Sequence, residues 1–170
     1  NNIVLVGDPN QLANVNQGSH PGSSGLSSVE YILGDEKTIQ PTNGIFLEKT
    51  RRLNSHICKF ISEAFYDGRL SSFEQNDNRK ILFKKPIFDI KSQGIHTIYS
   101  EHIGCSQKSI EEGKVIKELF NFFLEQNAYD IKNNEKKITV DDILVVTPFN
   151  VQVNYLQSIL PENARVGTID

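Results

Sequence analysis

The sequence predicts an α/β fold, in which short apolar strands alternate with amphipathic helices. Two runs of strand length, Ile3 to Val6 and Ile143 to Thr147, consist almost wholly of apolar residues. Apolar residues also recur at helical spacing in residues 55–65 and 109–124. With 170 residues, ten Phe and five Tyr, the chain has the size of one domain and too many aromatic residues for a disordered segment.

The first half of the chain predicts two strands and two helices joined by polar connectors. Ile3 to Val6 is the first strand, because this apolar run ends in the turn-forming residues Gly7 to Asn10. Ser55 is the predicted N-cap of the longer helix. The other elements are, in chain order, a Gly-, Ser- and Asn-rich loop at 14–28, a short helix at 26–33, a connector with a lobe boundary at 34–44 and a strand at 45–47.

The second half predicts two helices and three strands. Ser109 and Glu112 form a capping box that opens the first of these helices. Because no polar residue interrupts the strand from Ile143 to Val146, we expect it to be buried on both faces. The remaining elements are an irregular segment at 71–93, a strand at 95–99, a polar loop at 127–137, a helix at 151–160 and a strand at 164–169.

Composition excludes several classes of protein. The apolar runs are too short to cross a membrane. A net charge of −3 makes a nucleic-acid partner less expected but does not exclude one, because net charge does not reveal local basic patches. Cys58 and Cys105 are too few for a disulfide framework, which predicts a reducing, cytoplasmic location. Because the sequence contains no Met, Asn1 cannot be a translation start, and we expect the chain to be part of a longer protein.

The first candidate motif is the polar turn that follows the first strand, Gly7-Asp8-Pro9-Asn10-Gln11-Leu12. Open α/β sheets bind ligands at the carboxyl ends of their strands. The amide of Gln11 both donates and accepts hydrogen bonds, so it can orient a water molecule or contact a terminal phosphate. The alternative interpretation is a turn with no further role.

The second candidate motif is Thr50-Arg51-Arg52-Leu53, directly before the predicted helix. Cations are disfavoured at a helix N-terminus, since the helix dipole favours anions there. The two arginines are therefore best explained if they and the helix end bind an anion together. The alternative is a pair of solvated arginines.

The third candidate motif is Thr147-Pro148-Phe149-Asn150-Val151-Gln152, at a strand end and a helix start. Its hydroxyl, aromatic ring and amide can contact a nucleic-acid backbone and stack on a base. The alternative is that Phe149 belongs to the core and Gln152 caps a turn.

In this order, the three motifs resemble those of superfamily 1 helicases, in the branch that includes nonsense-decay RNA helicases and Dna-type nuclease–helicases. Residues 7–12 resemble motif III, and residues 50–53 with Phe65-Tyr66-Asp67-Gly68-Arg69-Leu70 resemble motif IV. Residues 147–152 resemble the TPYxxQ segment, and Val166-Gly167-Thr168-Ile169-Asp170 resembles the start of motif V. The details, including the loop at 18–22, are most similar to bacterial proteins in which a RecB-like nuclease is fused to such a helicase.

This resemblance implies two RecA-like lobes of the P-loop NTPase fold, with a parallel sheet flanked by helices. Residues 1–40 are the implied end of the first lobe, and residues 41–170 are most of the second. ATP, with Mg²⁺, is expected to bind between the lobes and to drive translocation on single-stranded DNA. The implied ATP-binding residues are Gly7, Asp8, Gln11 and Arg52; of these, Gln11 and Arg52 are the implied catalytic pair, with Arg52 acting like an arginine finger. The implied nucleic-acid contacts are Thr147, Pro148, Phe149, Gln152 and Thr168.

The sequence also departs from the family pattern. Arg51 stands where an aromatic residue is usual, which leaves Arg51 and Arg52 as alternatives for the phosphate contact; counting back from Ile57 favours Arg52. Ser55 replaces a usual Pro, and Phe149 replaces a usual Tyr. No G-x-x-x-x-G-K-[ST] sequence is present, and no Asp-Glu pair follows a strand upstream of Gly7, so we expect these 170 residues alone not to hydrolyse ATP.

Two other functions stay open at this stage. One is an RNA helicase of the nonsense-decay type, and the other is a non-catalytic module that binds nucleic acid or a protein. No metal site is predicted, because His102 and Cys105 form only half of one.

Overall fold

The computed structural model describes residues 2–11, 18, 21–85 and 87–169. Leu12 of the first motif, residues 14–17 of the predicted loop, Ser19, His20 and Asp170 lie outside them. The chain divides into two compact units, residues 1–73 and 74–170. The assignment of 1–40 and 41–170 to two RecA-like lobes stays a prediction.

The first unit contains two helices and a pair of parallel strands. Helix α1 (Ser28–Leu33) begins with a complete capping box between Ser27 and Glu30. Strand β1 (Lys49–Thr50), helix α2 (Ser55–Phe65) and strand β2 (Ser71–Ser72) follow, and β1 and β2 pair in parallel with Thr50 opposite Ser72.

Helix α2 is defined by polar contacts at both ends. Its N-cap is Asn54, whose side chain accepts a hydrogen bond from Ile57 N–H at 3.0 Å, so the predicted Ser55 cap is wrong by one residue. At the other end, Asp67 and Gly68 both have positive φ, and Gly68 N–H donates to Ser62 O at 2.9 Å. This left-handed turn ends the helix and leads the chain into β2.

The second unit contains two sheets and two helices. Strands β3 (Lys80–Leu82), β4 (Asn127–Tyr129) and β5 (Glu135–Lys137) form an antiparallel sheet, and β6 (Leu144–Val146) and β7 (Arg165–Gly167) pair in parallel. The helices are α3 (Ile110–Leu124) and α4 (Asn150–Ile159), and the short 3₁₀ segments of the chain are Gly22–Gly25, Glu74–Asn78 and Val140–Asp142.

The core of the second unit lies between its helices and its parallel strands. Phe120 of α3 and Leu156 and Leu160 of α4 are buried, and Val145 of β6 and Val166 of β7 pack against them. The α/β class predicted from the sequence is therefore confirmed, with parallel strands and helices packed together.

Three predicted strands are wrong. Residues 3–6, 45–47 and 95–99 form no strand, and the side chains of residues 3–6 are 48–87% exposed. A strand needs a neighbour for its backbone hydrogen bonds, and no described part of the chain pairs with these segments. Apolar character alone did not specify that neighbour.

Two further expectations fail in the second unit. The predicted polar loop at 127–137 is the β4–β5 hairpin, whose turn is held by Asp130 through hydrogen bonds from the Lys132 and Asn134 N–H groups, both at 2.8 Å. The strand β6 is not buried on both faces, since Leu144 is 61% exposed and only Val145 points into the core.

No helix among the described residues is long and apolar enough to cross a membrane.

Candidate nucleotide and nucleic-acid sites

In the first unit, the turn predicted to contact nucleotide is organised around the carboxylate of Asp8. Its Oδ2 accepts hydrogen bonds from the Gln11 amide and from the Tyr66 hydroxyl, both at 2.7 Å. Its Oδ1 accepts from Asn10 N–H at 3.1 Å, and the Asn10 side chain donates to Phe65 O at 3.2 Å. These contacts hold the turn at the C-terminal end of α2.

The partner that sequence reasoning missed here is Tyr66. Partial burial and the adjacent Asp8 carboxylate raise the pKa of Tyr66 to about 12, because both disfavour the phenolate. The centroid of the Tyr66 ring lies 5.9 Å from that of the Phe46 ring, and the Arg69 guanidinium lies 4.6 Å from the Phe46 ring centroid. The residues 65–70 carried the motif IV resemblance, but nothing local indicated that Tyr66 would bond to Asp8, 58 positions away.

Gly7 makes a close approach to α1. A Cβ atom at this position would lie 3.0 Å from Cγ2 of Val29. Only a hydrogen fits without movement of Val29, so the glycine allows the predicted nucleotide-binding turn to run directly against the helix.

The two arginines of the second motif follow the carboxyl end of β1. The Thr50 hydroxyl accepts hydrogen bonds from Arg52 N–H at 3.3 Å and from Leu53 N–H at 3.4 Å, which forms a tight turn before α2. Both arginines are exposed, and the Arg51 guanidinium lies 4.5 Å from the ring centroid of Phe73.

Gln11 and Arg52, the predicted catalytic pair, are not brought together. Gln11 is bonded to Asp8 at the C-terminal end of α2, and Arg52 precedes the N-cap of the same helix. At 1.5 Å per residue, the eleven residues of α2 put about 16 Å of helix between them.

In the second unit, the predicted nucleic-acid residues converge on one edge of a sheet. Thr147 follows β6 and Thr168 follows β7, and Thr147 N–H donates to Gly167 O at 3.1 Å, which extends the parallel pairing. Pro148 and Phe149 continue from this edge into α4, and the Phe149 side chain is 41% exposed. Two segments distant in sequence thus place a hydroxyl, a proline and an aromatic ring at the carboxyl end of the strands.

Within this set Gln152 and Thr147 are buried, at 4% and 9% exposed, and Gln152 is held by its side-chain amide. Its Oε1 accepts a hydrogen bond from Ser109 N–H at 2.9 Å, and its Nε2 donates to Ser109 O at 3.1 Å. Both ends of the amide are therefore bonded to the N-cap residue of α3.

No described group of three or more His, Cys, Asp or Glu side chains is arranged to hold a metal ion. His102 lies 3.5 Å from Glu112, and the Cys105 thiol lies 3.9 Å from Glu111.

Comparison with known proteins gives a family and one distant relative. A family model described as an AAA domain matches residues 30–170, which confirms the P-loop-NTPase-like fold class. The chain is similar to the DNA polymerase alpha-associated DNA helicase A of Schizosaccharomyces pombe, with 24% identity over 186 aligned positions that cover 100% of this chain and 26% of that protein. The chain thus spans about a quarter of the length of this curated relative. No solved structure matches the chain.

Proposed function

The chain belongs to the AAA-domain family, and on that premise we propose that it is part of an ATP-dependent superfamily 1 helicase that translocates on single-stranded DNA. The four motifs in helicase order support this function, as does the similarity to a protein named as a DNA helicase. On the same basis we propose a cytoplasmic parent protein that carries a RecB-like nuclease, with residues 1–40 and 41–170 in its two RecA-like lobes.

The observation that carries the proposal is the convergence of Thr147, Pro148, Phe149 and Thr168 on one sheet edge. Thr147 is buried, whereas the half-buried Thr168 can offer its hydroxyl to a phosphate oxygen, and the exposed Phe149 ring offers a base a stacking surface worth about 1–3 kcal/mol. The stacking surface does not depend on base identity, which suits an enzyme that moves along any sequence.

The residues of the first unit fit the terminal phosphate of ATP in part. Arg52 is exposed beside the N-terminus of α2, where a guanidinium and backbone N–H groups can bind an anion together. The position of Arg52, counted back from Ile57, supports Arg52 rather than Arg51 as the phosphate contact. Bound ATP supplies a γ-phosphoryl group whose charge rises during transfer, and a bidentate guanidinium stabilises that charge.

Because about 16 Å of helix separates Gln11 from Arg52, Gln11 reaches this phosphate only when the turn around Asp8 leaves the C-terminal end of α2. We propose that Gln11 exchanges the Asp8 carboxylate for the γ-phosphate and that Gly7 and Asp8 shape the turn that presents it. No described group of three or more His, Cys, Asp or Glu side chains could hold a metal ion, and we propose that the Mg²⁺ ligands lie in another part of the enzyme.

The test has two arms. A fluorescein-labelled oligo(dT) should bind the 170-residue protein, with loss of about tenfold in affinity for Phe149→Ala. Equal binding by Phe149→Ala and the parent sequence would refute the proposed interface, and preference for a matched oligo(U) would favour the RNA helicase. ATP hydrolysis by the 170 residues alone would refute the expectation that this activity needs a G-x-x-x-x-G-K-[ST] sequence from another part of the protein.

The second arm uses the longest natural protein that contains this chain. Gln11→Ala and Arg52→Ala should abolish its DNA-stimulated ATP hydrolysis while leaving the protein folded. Normal turnover by Arg52→Ala together with loss in Arg51→Ala would shift the phosphate contact by one residue. Absence of any G-x-x-x-x-G-K-[ST] sequence from that protein would favour the non-catalytic module.

A further inference from the structure

The side-chain amide of Gln152 is fully engaged inside the protein. Gln152 and Ser109 are each 4% exposed, and the two hydrogen bonds between them use the backbone N–H and C=O of Ser109. If Gln152 turned outward to a base or a phosphate, the buried Ser109 N–H would lose its acceptor, while Ser109 O would keep the hydrogen bond from Gly113 N–H at 3.3 Å. An unpaired buried backbone group costs more than one hydrogen bond at the surface returns.

At the start of α3, the hydrogen bond to Gln152 takes the place of one of the two hydrogen bonds of a capping box. The Ser109 hydroxyl accepts from Glu112 N–H at 3.1 Å, as a capping box requires. In a complete box the Glu112 carboxylate would accept from Ser109 N–H, but that N–H donates to Gln152, and Glu112 lies beside His102 instead. The start of α3 is thus capped by a side chain of α4.

The same side chain also fixes the start of α4. Phe149 is the N-cap of this helix, and its carbonyl accepts hydrogen bonds from the N–H groups of Gln152 at 3.0 Å and Val153 at 3.1 Å. Gln152 is therefore joined to Phe149 through the first turn and to Ser109 through its amide. Since Thr147 is bonded to Gly167, the intervening residues are held at both ends.

We propose that Gln152 is a positioning residue, which sets the Phe149 ring for stacking on a nucleic-acid base by tying the first turn of α4 to Ser109 and makes no contact with nucleic acid itself. This inference rests on the proposed nucleic-acid interface at Phe149. Within the motif at residues 147–152, Phe149 would contact the nucleic acid and Gln152 would hold Phe149 in place.

A double-mutant cycle tests the inference. Gln152→Met keeps the length of the side chain and removes both hydrogen bonds. Affinity for labelled oligo(dT) should fall about tenfold when Phe149 is present and by less than about twofold in a Phe149→Ala background, since the loss acts through the ring. Gln157→Met, which removes an exposed amide from the same helix, is the matched control and should bind normally.

A spectroscopic readout needs no nucleic acid. The chain contains five Tyr but no Trp, so Phe149→Trp introduces a single tryptophan, which can be excited selectively, at the proposed stacking position. Adding Gln152→Met should raise its rotational mobility and speed hydrogen exchange at the Ser109 amide by at least about tenfold, whereas Gln157→Met should change neither.

Each outcome has a definite meaning. An equal loss for Gln152→Met with and without Phe149 would show direct contact and overturn the positioning role, while the interface itself would stand. No effect of Phe149→Ala on binding would remove the proposed interface and this inference with it. If Gln152→Met fails to fold, Gln152→Glu replaces it. A protonated glutamic acid can make both hydrogen bonds to Ser109, whereas the carboxylate cannot, so affinity for oligo(dT) should be low at neutral pH and recover on acidification. Equally weak binding at neutral and acidic pH would overturn the proposal.

Discussion

Replacement of Gly113 by alanine should destabilise the protein, although alanine is the better helix former. Gly113 lies in α3, where a Cβ atom would stand 2.4 Å from Cε1 of Tyr155 and 3.2 Å from two further ring atoms. Carbon atoms pack at about 3.5–4.0 Å, so the ring must move by more than 1 Å or the helices must separate. Neither movement is small, because Gln152 ties the same two helices together nearby.

The expected magnitude comes from three contributions. Overpacking of this severity costs about 3 kcal/mol, and displacing Tyr155 weakens the contact with the Lys108 ammonium, 4.5 Å from its ring, by about 0.5 kcal/mol. Alanine returns about 1 kcal/mol of helix propensity. The net loss of unfolding free energy should therefore be about 2.5 kcal/mol.

Urea denaturation followed by far-ultraviolet circular dichroism measures this loss. The control is the same substitution in a Tyr155→Ala protein, where the ring is absent and Gly113→Ala should stabilise by about 1 kcal/mol. This reversal of sign distinguishes a steric conflict from a general effect on α3. Stabilisation of the parent protein by Gly113→Ala would refute the close approach of the two helices.

Three further predictions concern single hydrogen bonds. Tyr66→Phe should lower the unfolding free energy by about 1 kcal/mol through loss of the bond to Asp8. Because the folded pKa of Tyr66 is raised from 10.0 to about 12, the stability it contributes is present below pH 10 and lost as pH rises toward 12, and Tyr66→Phe should remove that decline in alkaline urea titrations. Asn54→Ala should cost about 1 kcal/mol by uncapping α2, whereas Asn54→Asp should not. The hydrogen bond from Lys136, followed in importance by Thr139 N–H, lowers the pKa of the Asp142 carboxyl; Lys136→Met should raise it, as followed by carbon NMR, and should shrink the stability lost as pH falls through the depressed pKa.

A different result would contradict each of these three predictions. An unchanged alkaline decline in Tyr66→Phe would show that another group causes it. Equal stability of Asn54→Ala and the parent would contradict the assigned cap. Lys137→Met is the matched control for Lys136, and an equal shift of the Asp142 pKa in both variants would indicate a general change of surface charge.

Helices were predicted from the sequence better than strands, for a physical reason. A helix satisfies its own backbone within four residues, so local spacing and capping residues specify α2 and α3 closely. A strand depends on a partner strand that the local sequence does not identify. For this reason residues 3–6 and 95–99 were predicted as strands although they form none. The β4–β5 hairpin was missed because its residues are polar, although Asp130 and the positive φ of Asn133 are typical of a turn.

The candidate sites could be predicted where they depend on strand positions, but not where they depend on contacts between distant residues. Parallel pairing of two apolar runs is enough to bring Thr147 and Thr168 to one edge, so their grouping follows from the strand prediction. The bonds of Gln152 to Ser109 and of Tyr66 to Asp8 join residues 43 and 58 positions apart. Such contacts arise only from tertiary packing, and no local pattern announces them.

The length of helix α2 provides a reference distance against which movement of Gln11 relative to Arg52 can be measured. Its length is fixed by its backbone hydrogen bonds, and its two ends carry the residues proposed to meet at one phosphate. The length of α2, about 16 Å, lies between Gln11 and Arg52, so a nucleotide held by both must bring the two residues closer together. Nucleotide occupancy therefore becomes a measurable length, and pulsed electron paramagnetic resonance between spin labels beside positions 11 and 52 should report each binding event as a shortening of that length.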